Sequence, residues 1–251
     1  MLELQICSDI HIEYKSDEIP DPLDYITPSA EILVLAGDIG SFYKIEQLKG
    51  FLERLCPLFK TVIYVPGNQE YYLVNNHESL PMYQLLNRLY EIEANIKNLY
   101  VLNQTSIIVN DICITGCTLW SDIKITIPKF IVRINGINNE VYKKKHSNDL
   151  KYINKMIDYC AKNNLKLVVI THYCPTYKVL ENSNRRDKYS SLYMTDLDYL
   201  LKSNMVNTWI CGHIHRNFDF YSENGTRLVG NQKGKPKDKI TDFSKNFVVK
   251  I

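Results

Sequence analysis

The chain has no excess of charge of either sign: 30 Lys and Arg stand against 28 Asp and Glu, a formal net charge of +2. That argues against a nucleic-acid binder working by bulk electrostatics. Local basic clusters (Lys143-Lys144-Lys145, Arg185-Arg186, Lys233 to Lys239) can still touch phosphates, but such runs are more often solvated faces or loops. No Cys-x-x-Cys pair occurs. The seven cysteines (Cys7, Cys56, Cys113, Cys117, Cys160, Cys174, Cys211) are dispersed and odd in number, which disfavours a structural zinc site. Several lie inside apolar runs, where a thiol behaves as a small hydrophobe. No apolar run is long enough to cross a bilayer. Met1 leads straight into a strand pattern, so no signal peptide is expected, and a reducing cytoplasmic setting is. Repeats, low-complexity segments and linkers are also missing, and residues 1–251 are expected to form a single domain.

What is present follows a strand-helix-strand grammar. Leu2 to Cys7 is an apolar first strand running into Asp9-Ile10-His11. If the backbone stays extended there, residues i and i+2 share a face and aim a carboxylate and an imidazole at one point. After a polar loop (Glu13 to Ser29), Ile32 to Ala36 reads as a strand buried on both sides and ends at Gly37-Asp38. Residues Ile45 to Leu55 carry apolar positions at helical spacing. Thr61 to Val65 is a third strand, feeding Pro66-Gly67-Asn68-Gln69-Glu70. A helix is expected from about Leu80 to Ile96, and then Leu99 to Leu102, Ser106 to Val109 and Ile112 to Gly116 read as a meander opening a second sheet. A further helix, about Tyr142 to Asn163, precedes a strand (Leu165 to Thr171) that delivers His172. Tyr173 to Tyr193 is the best candidate for a substrate loop. A short helix (Asp196 to Lys202) follows, then a strand, Thr208 to Cys211, delivering Gly212-His213-Ile214-His215. The tail holds a hairpin around Asn224-Gly225 and a last strand, Phe247 to Ile251.

Polar residues thus stand at the ends of five buried strands: Asp9 and His11, Asp38, Asn68, His172, then His213 and His215. Ligands in α/β sheets commonly bind outside the carboxyl ends of strands. In this order, Asp-x-His, Gly-Asp, Gly-Asn, Thr-His and Gly-His-x-His resemble the calcineurin-type metallophosphoesterases over nearly the whole chain. Tyr64 to Asn68 with Glu70-Tyr71-Tyr72, Leu119-Trp120, and Trp209 to His215 with Phe218-Asp219 resemble a small bacterial and viral branch. The resemblance implies an α/β fold, a four-layer α/β/β/α sandwich of two mixed β-sheets. By family role, Asp9, His11 and His215 would hold one metal, Asn68, His172 and His213 a second, and Asp38 would bridge them. Two divalent ions roughly 3.5–4 Å apart can clamp a phosphate and acidify a bridging water. Mixed oxygen and nitrogen ligation without thiolate suits Mn²⁺, Fe²⁺ or Zn²⁺ and does not choose among them; the cofactor expected is two divalent ions, Mn²⁺ first, with Fe²⁺, Zn²⁺, Ni²⁺ or Mg²⁺ as alternatives. The implied partner is a phosphate-ester small molecule or nucleotide, monoester or diester. No membrane partner is expected, and a structure-selective nuclease has little support.

The departures matter as much. Gln69 stands where the family has the histidine that assists the leaving group, so it joins Asn68 and Asp38 as a candidate catalytic position. An amide donates a hydrogen bond but transfers no proton at neutral pH. Three readings stay open: a substitution introduced to trap substrate, a natural variant with altered chemistry, or a degenerate enzyme. Retention of all seven ligands weighs against the last, and the otherwise standard motif leans toward the first. A binding protein on a phosphoesterase scaffold is the competing class. Arg216 and Gly136 also depart from the branch and leave substrate preference open. Among other conspicuous residues, His77 reads as a loop residue and His146 as exposed or helix-packing. Trp120 reads as core, Tyr71 and Tyr72 as packing or pocket, and Arg185, Arg186 and Lys188 as a solvated loop or a second phosphate clamp.

Overall fold

Alternation along the strands sets the layers. In β2 (Ile32–Leu35), Ile32 and Val34 pack with Leu4 and Ile6 of β1 (Glu3–Cys7) and Ile63 of β3 (Thr61–Tyr64). The residues between them, Leu33, Leu35, Val62 and Tyr64, point to the opposite face with Leu48, Leu52, Leu85 and Leu89. Those four belong to α1 (Ile45–Leu55) and α2 (Met82–Asn95). A strand apolar on both faces is therefore sandwiched between helices on one side and a second sheet on the other. The structure, a computed structural model, describes residues 1–251 except 16, 76, 129, 181–188 and 203–204.

The first sheet has the order β11-β1-β2-β3-β4, with β4 at Leu99–Val101 and β11 at Val248–Lys250. The second has the order β5-β6-β7-β8-β10-β9. Its strands are β5 (Thr105–Val109), β6 (Ile112–Cys117), β7 (Lys166–Thr171), β8 (Thr208–Ile210), β9 (Phe218–Tyr221) and β10 (Arg227–Gly230). Both sheets are mixed: parallel centres carry antiparallel edges at β11, β5 and β9. Ile114, Val168, Ile170, Ile210 and Val229 of the second sheet face Ile6, Val34 and Val65 of the first across a dry inter-sheet core. Its outer residues, Leu167, Val169 and Trp209, share a cluster with Ile153 and Ile157 of α3 (Asn139–Asn163). The result is the expected α/β/β/α sandwich.

Two expectations change. The strand at Leu99 does not open the second sheet: it pairs parallel with β3 (Val62 opposite Leu99), because α2 returns the chain to the start of the first sheet. Helix α3 begins three residues earlier than its apolar spacing indicates, since Asn138 caps it by accepting from Val141 N at 2.9 Å. A cap sets that boundary, and hydrophobic periodicity is silent about it.

Helix α3 is tied to the layer beneath by Asp149, which is buried. Its carboxylate accepts from Gln104 Nε2 (2.8 Å) and Trp120 N (3.2 Å). Burial nevertheless pushes its pKa from the ordinary 3.8 up to about 6, against those two bonds. The folded state then holds this proton more tightly than the unfolded chain. This group's contribution to stability therefore falls as pH rises between about 4 and 6, by up to about 3 kcal/mol. Asp149→Asn is expected to flatten that stretch, read as a smaller drop in urea midpoint between pH 4.5 and pH 7; an unchanged drop would contradict it.

Candidate metal centre

Each sequence-predicted site residue lies just beyond the carboxyl end of a parallel strand. Asp9 and His11 follow β1, Asp38 follows β2, Asn68 and Gln69 follow β3, His172 follows β7, and His213 and His215 follow β8. The expected extended geometry at Asp9-Ile10-His11 is not what forms. Asp9 and His11 sit in the left-handed region at φ 54° and 53°, as do Asp38, His213 and His215. The strand ladder ends at Cys7, and Asp9 N and His11 N then donate to the carbonyls of Gly37 and Asp38 at 3.0 Å. These cross-loop bonds stabilise a conformation that non-glycine residues seldom adopt, and turn both side chains inward.

Six of the seven side chains close into two clusters that share Asp38, and Asn68 joins the second through His172. In the first, His215 Nε2 lies 3.2 Å from Asp9 Oδ1 and 3.1 Å from His11 Nε2, and His11 Nε2 lies 3.8 Å from Asp38 Oδ2. In the second, His172 Nε2 lies 3.0 Å from His213 Nδ1, 3.1 Å from Asn68 Oδ1 and 3.2 Å from Asp38 Oδ1. The two oxygens of one carboxylate therefore face different clusters. Gln69 is beside it: the backbone N–H of Gln69 donates to Asp38 Oδ1 at 2.9 Å, and the residue lines the cavity above.

The donor set fits divalent cations. Neighbouring ligands at bond lengths of about 2.0–2.2 Å stand about 3 Å apart around an ion, which is the spacing seen within each cluster. Three histidines also have their remote nitrogens occupied. His11 Nδ1 is bonded to Glu13 Oε1 (2.9 Å), His215 Nδ1 to Asp238 Oδ2 (2.5 Å) and His172 Nδ1 to the Ala36 carbonyl (2.9 Å). Such outer bonds fix the tautomer and leave the inward lone pair for an ion.

Electrostatics agrees. Burial alone would raise the Asp38 carboxyl, but His172 and His11 overcome it and hold the group well below the usual range. Asp9 is lowered the same way by its bond to His215. Burial and the neighbouring His172 push His213 down to about 3, so its ring is neutral. Protons and cations compete for these same lone pairs.

Several supporting residues escape sequence reasoning. Glu70, fully buried, accepts from Ile39 N (3.0 Å), Tyr64 Oη (2.9 Å) and Gly67 N (3.1 Å) and so pins the loops after β2 and β3 together. Ser8 Oγ donates to Asp9 Oδ2 at 2.5 Å. Glu13 orients His11 from two residues along the chain, and Asp238 orients His215 from inside the lysine-rich stretch read as a solvated loop. Only the placement of Glu70 two residues after Asn68 offered a signal. Trp120 is core, tilted against Tyr71 and Tyr173 and edge-on to Tyr142, whereas Tyr72 lines the cavity. His146 is buried, bonded to the Trp120 carbonyl. Arg185, Arg186 and Lys188 lie outside the described residues.

The sequence profile of the calcineurin-like phosphoesterases matches residues 4–217. The chain belongs to the calcineurin-like phosphoesterase family. Family members use divalent metals, consistent with the two clusters. An uncharacterized protein, L509 of Acanthamoeba polyphaga mimivirus, is 29% identical over 263 residues, spanning 92% of this chain and 90% of that protein. Among solved structures, a phosphopantetheinyl hydrolase from Mycobacterium tuberculosis superposes with a TM-score of 0.69 at 14% identity, over 94% of this chain and 90% of that one. A dimetal phosphatase from Danio rerio gives 0.56 at 11% identity, over 91% and 86%. These two structures share the phosphoesterase fold with this chain.

The close approach of the loops leaves no space at Gly67: a Cβ there would stand 2.2 Å from Asp38 Oδ1 and 2.6 Å from Asp38 N. Gly67→Ala is expected to lower the unfolding free energy of the metal-free protein by about 1–3 kcal/mol, since backbone must shift. Urea titration in the presence of a chelator measures this, and an unchanged midpoint would contradict the packing described.

Proposed function

We propose that this family member is a dinuclear-metal hydrolase of phosphate esters. Asp9, His11 and His215 would hold one ion and Asn68, His172 and His213 the other, with the Asp38 carboxylate available to both. The observation that carries the reading is the division of the Asp38 carboxylate, Oδ1 toward His172 and Oδ2 toward His11. Divalent ions at such positions supply positive charge for a phosphate and lower the pKa of a water to near neutrality.

The chain's own groups do the rest. Asp9 and Asp38, both ionised, offset the charge of the ions, and the outer bonds of His11, His172 and His215 hold the rings still. Gln69 projects into the cavity beside Asn68. Its amide orients a phosphate oxygen or leaving oxygen by donating a hydrogen bond, and it supplies no proton. Leaving groups that need protonation therefore depart slowly. Small-molecule phosphate esters or nucleotides are the substrates this reading implies, and Mn²⁺ the first metal to supply. A single-domain protein in a reducing cytoplasm fits the seven unpaired thiols. Among the described residues no helix is long and apolar enough to cross a membrane.

Metal analysis after reconstitution with Mn²⁺ is expected to give close to two equivalents per chain, and none bound would refute the reading. Gln69→His is expected to raise hydrolysis of an aryl phosphodiester several-fold or more, approaching the roughly 10²–10⁴-fold that general acid catalysis provides. Gln69 also favours one second reading, a phosphoesterase-fold binding protein with impaired turnover. With excess Mn²⁺, silence of both the chain and its Gln69→His variant would select that reading.

A further inference from the structure

The cavity above the two clusters has a volume of about 910 Å³, far more than a phosphate group fills, and its two ends differ in chemistry. At the end next to the first cluster, Tyr14 meets the His11 ring edge-on at 5.7 Å, and Lys235 Nζ stands 5.6 Å over the Tyr14 ring. Lys237 lines the same end, on the turn whose Asp238 bonds His215. The Asp238 carboxylate is engaged by His215 Nδ1 and Lys235 N, and among the described residues neither lysine forms an ion pair. That end carries two lysine ammonium groups outside any close ion pair, with the Asp238 carboxylate, held down in part by Lys235, turned to His215.

The end next to the second cluster is mainly aromatic, with the exposed Arg133 also among its lining residues. Tyr193 lies tilted against His213, ring centroids 5.5 Å apart. Tyr72 follows the turn that starts at Gln69, and the next residue, Leu73, donates its N–H to the Arg133 carbonyl at 2.8 Å. That bond brings the 130–133 segment to this end, where Phe130 stands 80% exposed at the rim. Together with Tyr72 and Tyr193, this ring offers stacking faces to a planar group.

We infer that the substrate is a phosphodiester with two unlike arms: a planar aromatic arm at Phe130, Tyr72 and Tyr193, and an arm bearing a second anionic group at Lys235 and Lys237. The inference rests on the dinuclear reading only in seating the reacting phosphate over Asp38. A monoester has a single arm and leaves one furnished end empty. The aromatic end accepts the flat group by stacking, and the lysines act as point charges on a phosphate or carboxylate.

Binding of phosphinates, whose two arms are both joined to phosphorus through carbon so that no ester bond can be cleaved, to the Mn²⁺-loaded protein tests this by calorimetry. Two ligands carry p-nitrobenzyl on phosphorus, one with ethyl and the other with 2-phosphonoethyl as the second arm; a third pairs methyl with 2-phosphonoethyl. The 2-phosphonoethyl arm is expected to tighten binding about tenfold at low salt, an advantage that shrinks with added salt and falls to near parity in Lys235→Ala/Lys237→Ala. Replacing p-nitrobenzyl by methyl is expected to weaken binding about fivefold, and much less in Phe130→Ala. Equal affinities, or an anionic advantage that survives loss of both lysines, overturn the inference. Turnover of p-nitrophenyl ethyl phosphate is the separate check on hydrolysis. Turnover without these affinity differences overturns the two-armed substrate alone, and the differences without turnover by either the chain or its Gln69→His variant support two-armed binding while overturning the hydrolase reading.

Discussion

A single buried carboxylate ties the whole arrangement together. Asp38 leaves β2 of the first sheet, yet its nearest imidazole, 3.2 Å away, is His172 from β7 of the second. Its oxygens can face both clusters only if the carboxyl ends of two separately folded sheets meet in register. The contacts that enforce this are mostly backbone. Ser8 N donates to the Asn231 carbonyl, Lys233 N donates to the Ser8 carbonyl, and Asn231 Nδ2 donates to the Ile6 carbonyl at 2.8 Å. Beneath them the dry inter-sheet core of Ile6, Val34, Val168 and Ile210 fixes the spacing. Each such side chain contributes on the order of 1.5–3 kcal/mol, so a slip of one sheet past the other would lose far more than the loops above it could recover.

That framework is what lets the site hold an unfavourable local structure. Five of the seven expected donors have left-handed backbone, each at a cost of order 1–3 kcal/mol where the residue is not glycine. Asp9 and Asp38 are also buried and ionised, which water would otherwise resist. No helix or strand propensity explains such a set. It exists because the 37–38, 67–70 and 212–215 loops bond to one another, with Glu70 holding two of them and Asp9 accepting from His213 N at 3.1 Å. The glycines are part of the same economy of space. A Cβ on Gly37 would meet His172 Nδ1 at 2.4 Å, and one on Gly212 would meet Asp9 Oδ2 at 2.6 Å.

Much of this was legible in the chain because strand ends and chemistry coincide. The runs Ile32–Leu35 and Thr61–Tyr64 announce strands buried on both faces, and the first polar residues after each are those the fold brings together. The helix at Ile45–Leu55 was readable to the residue from its spacing. What escaped depends on long-range contact. The pairing partner of Leu99–Val101 is decided by where α2 ends in space, which local alternation does not encode. The left-handed turns at Asp9 and His11 are imposed by carbonyls almost thirty residues away. Glu13, Asp238 and the Ala36 carbonyl orient histidines through single hydrogen bonds, and no spacing rule links Asp238 to His215.

Position 69 separates what the scaffold needs from what the reaction needs. The bond that residue makes to the site floor is from its backbone N–H to Asp38 Oδ1, a bond any residue but proline would make. The turn from Gln69 to Tyr71 is held from its flank by Glu70, which reaches Ile39, Gly67 and Tyr64 whatever side chain stands at 69. Folding and the meeting of the clusters are therefore indifferent to histidine or glutamine there, and so is the net charge on the floor while the histidine is neutral. Gln69 also lines the cavity, and there an imidazole and an amide differ in shape, in hydrogen-bonding pattern and in the ability to give up a proton. An intact set of seven donors is thus evidence about architecture, and on the proposed hydrolase reading the chemistry at the leaving oxygen turns on the residue one step further along the loop.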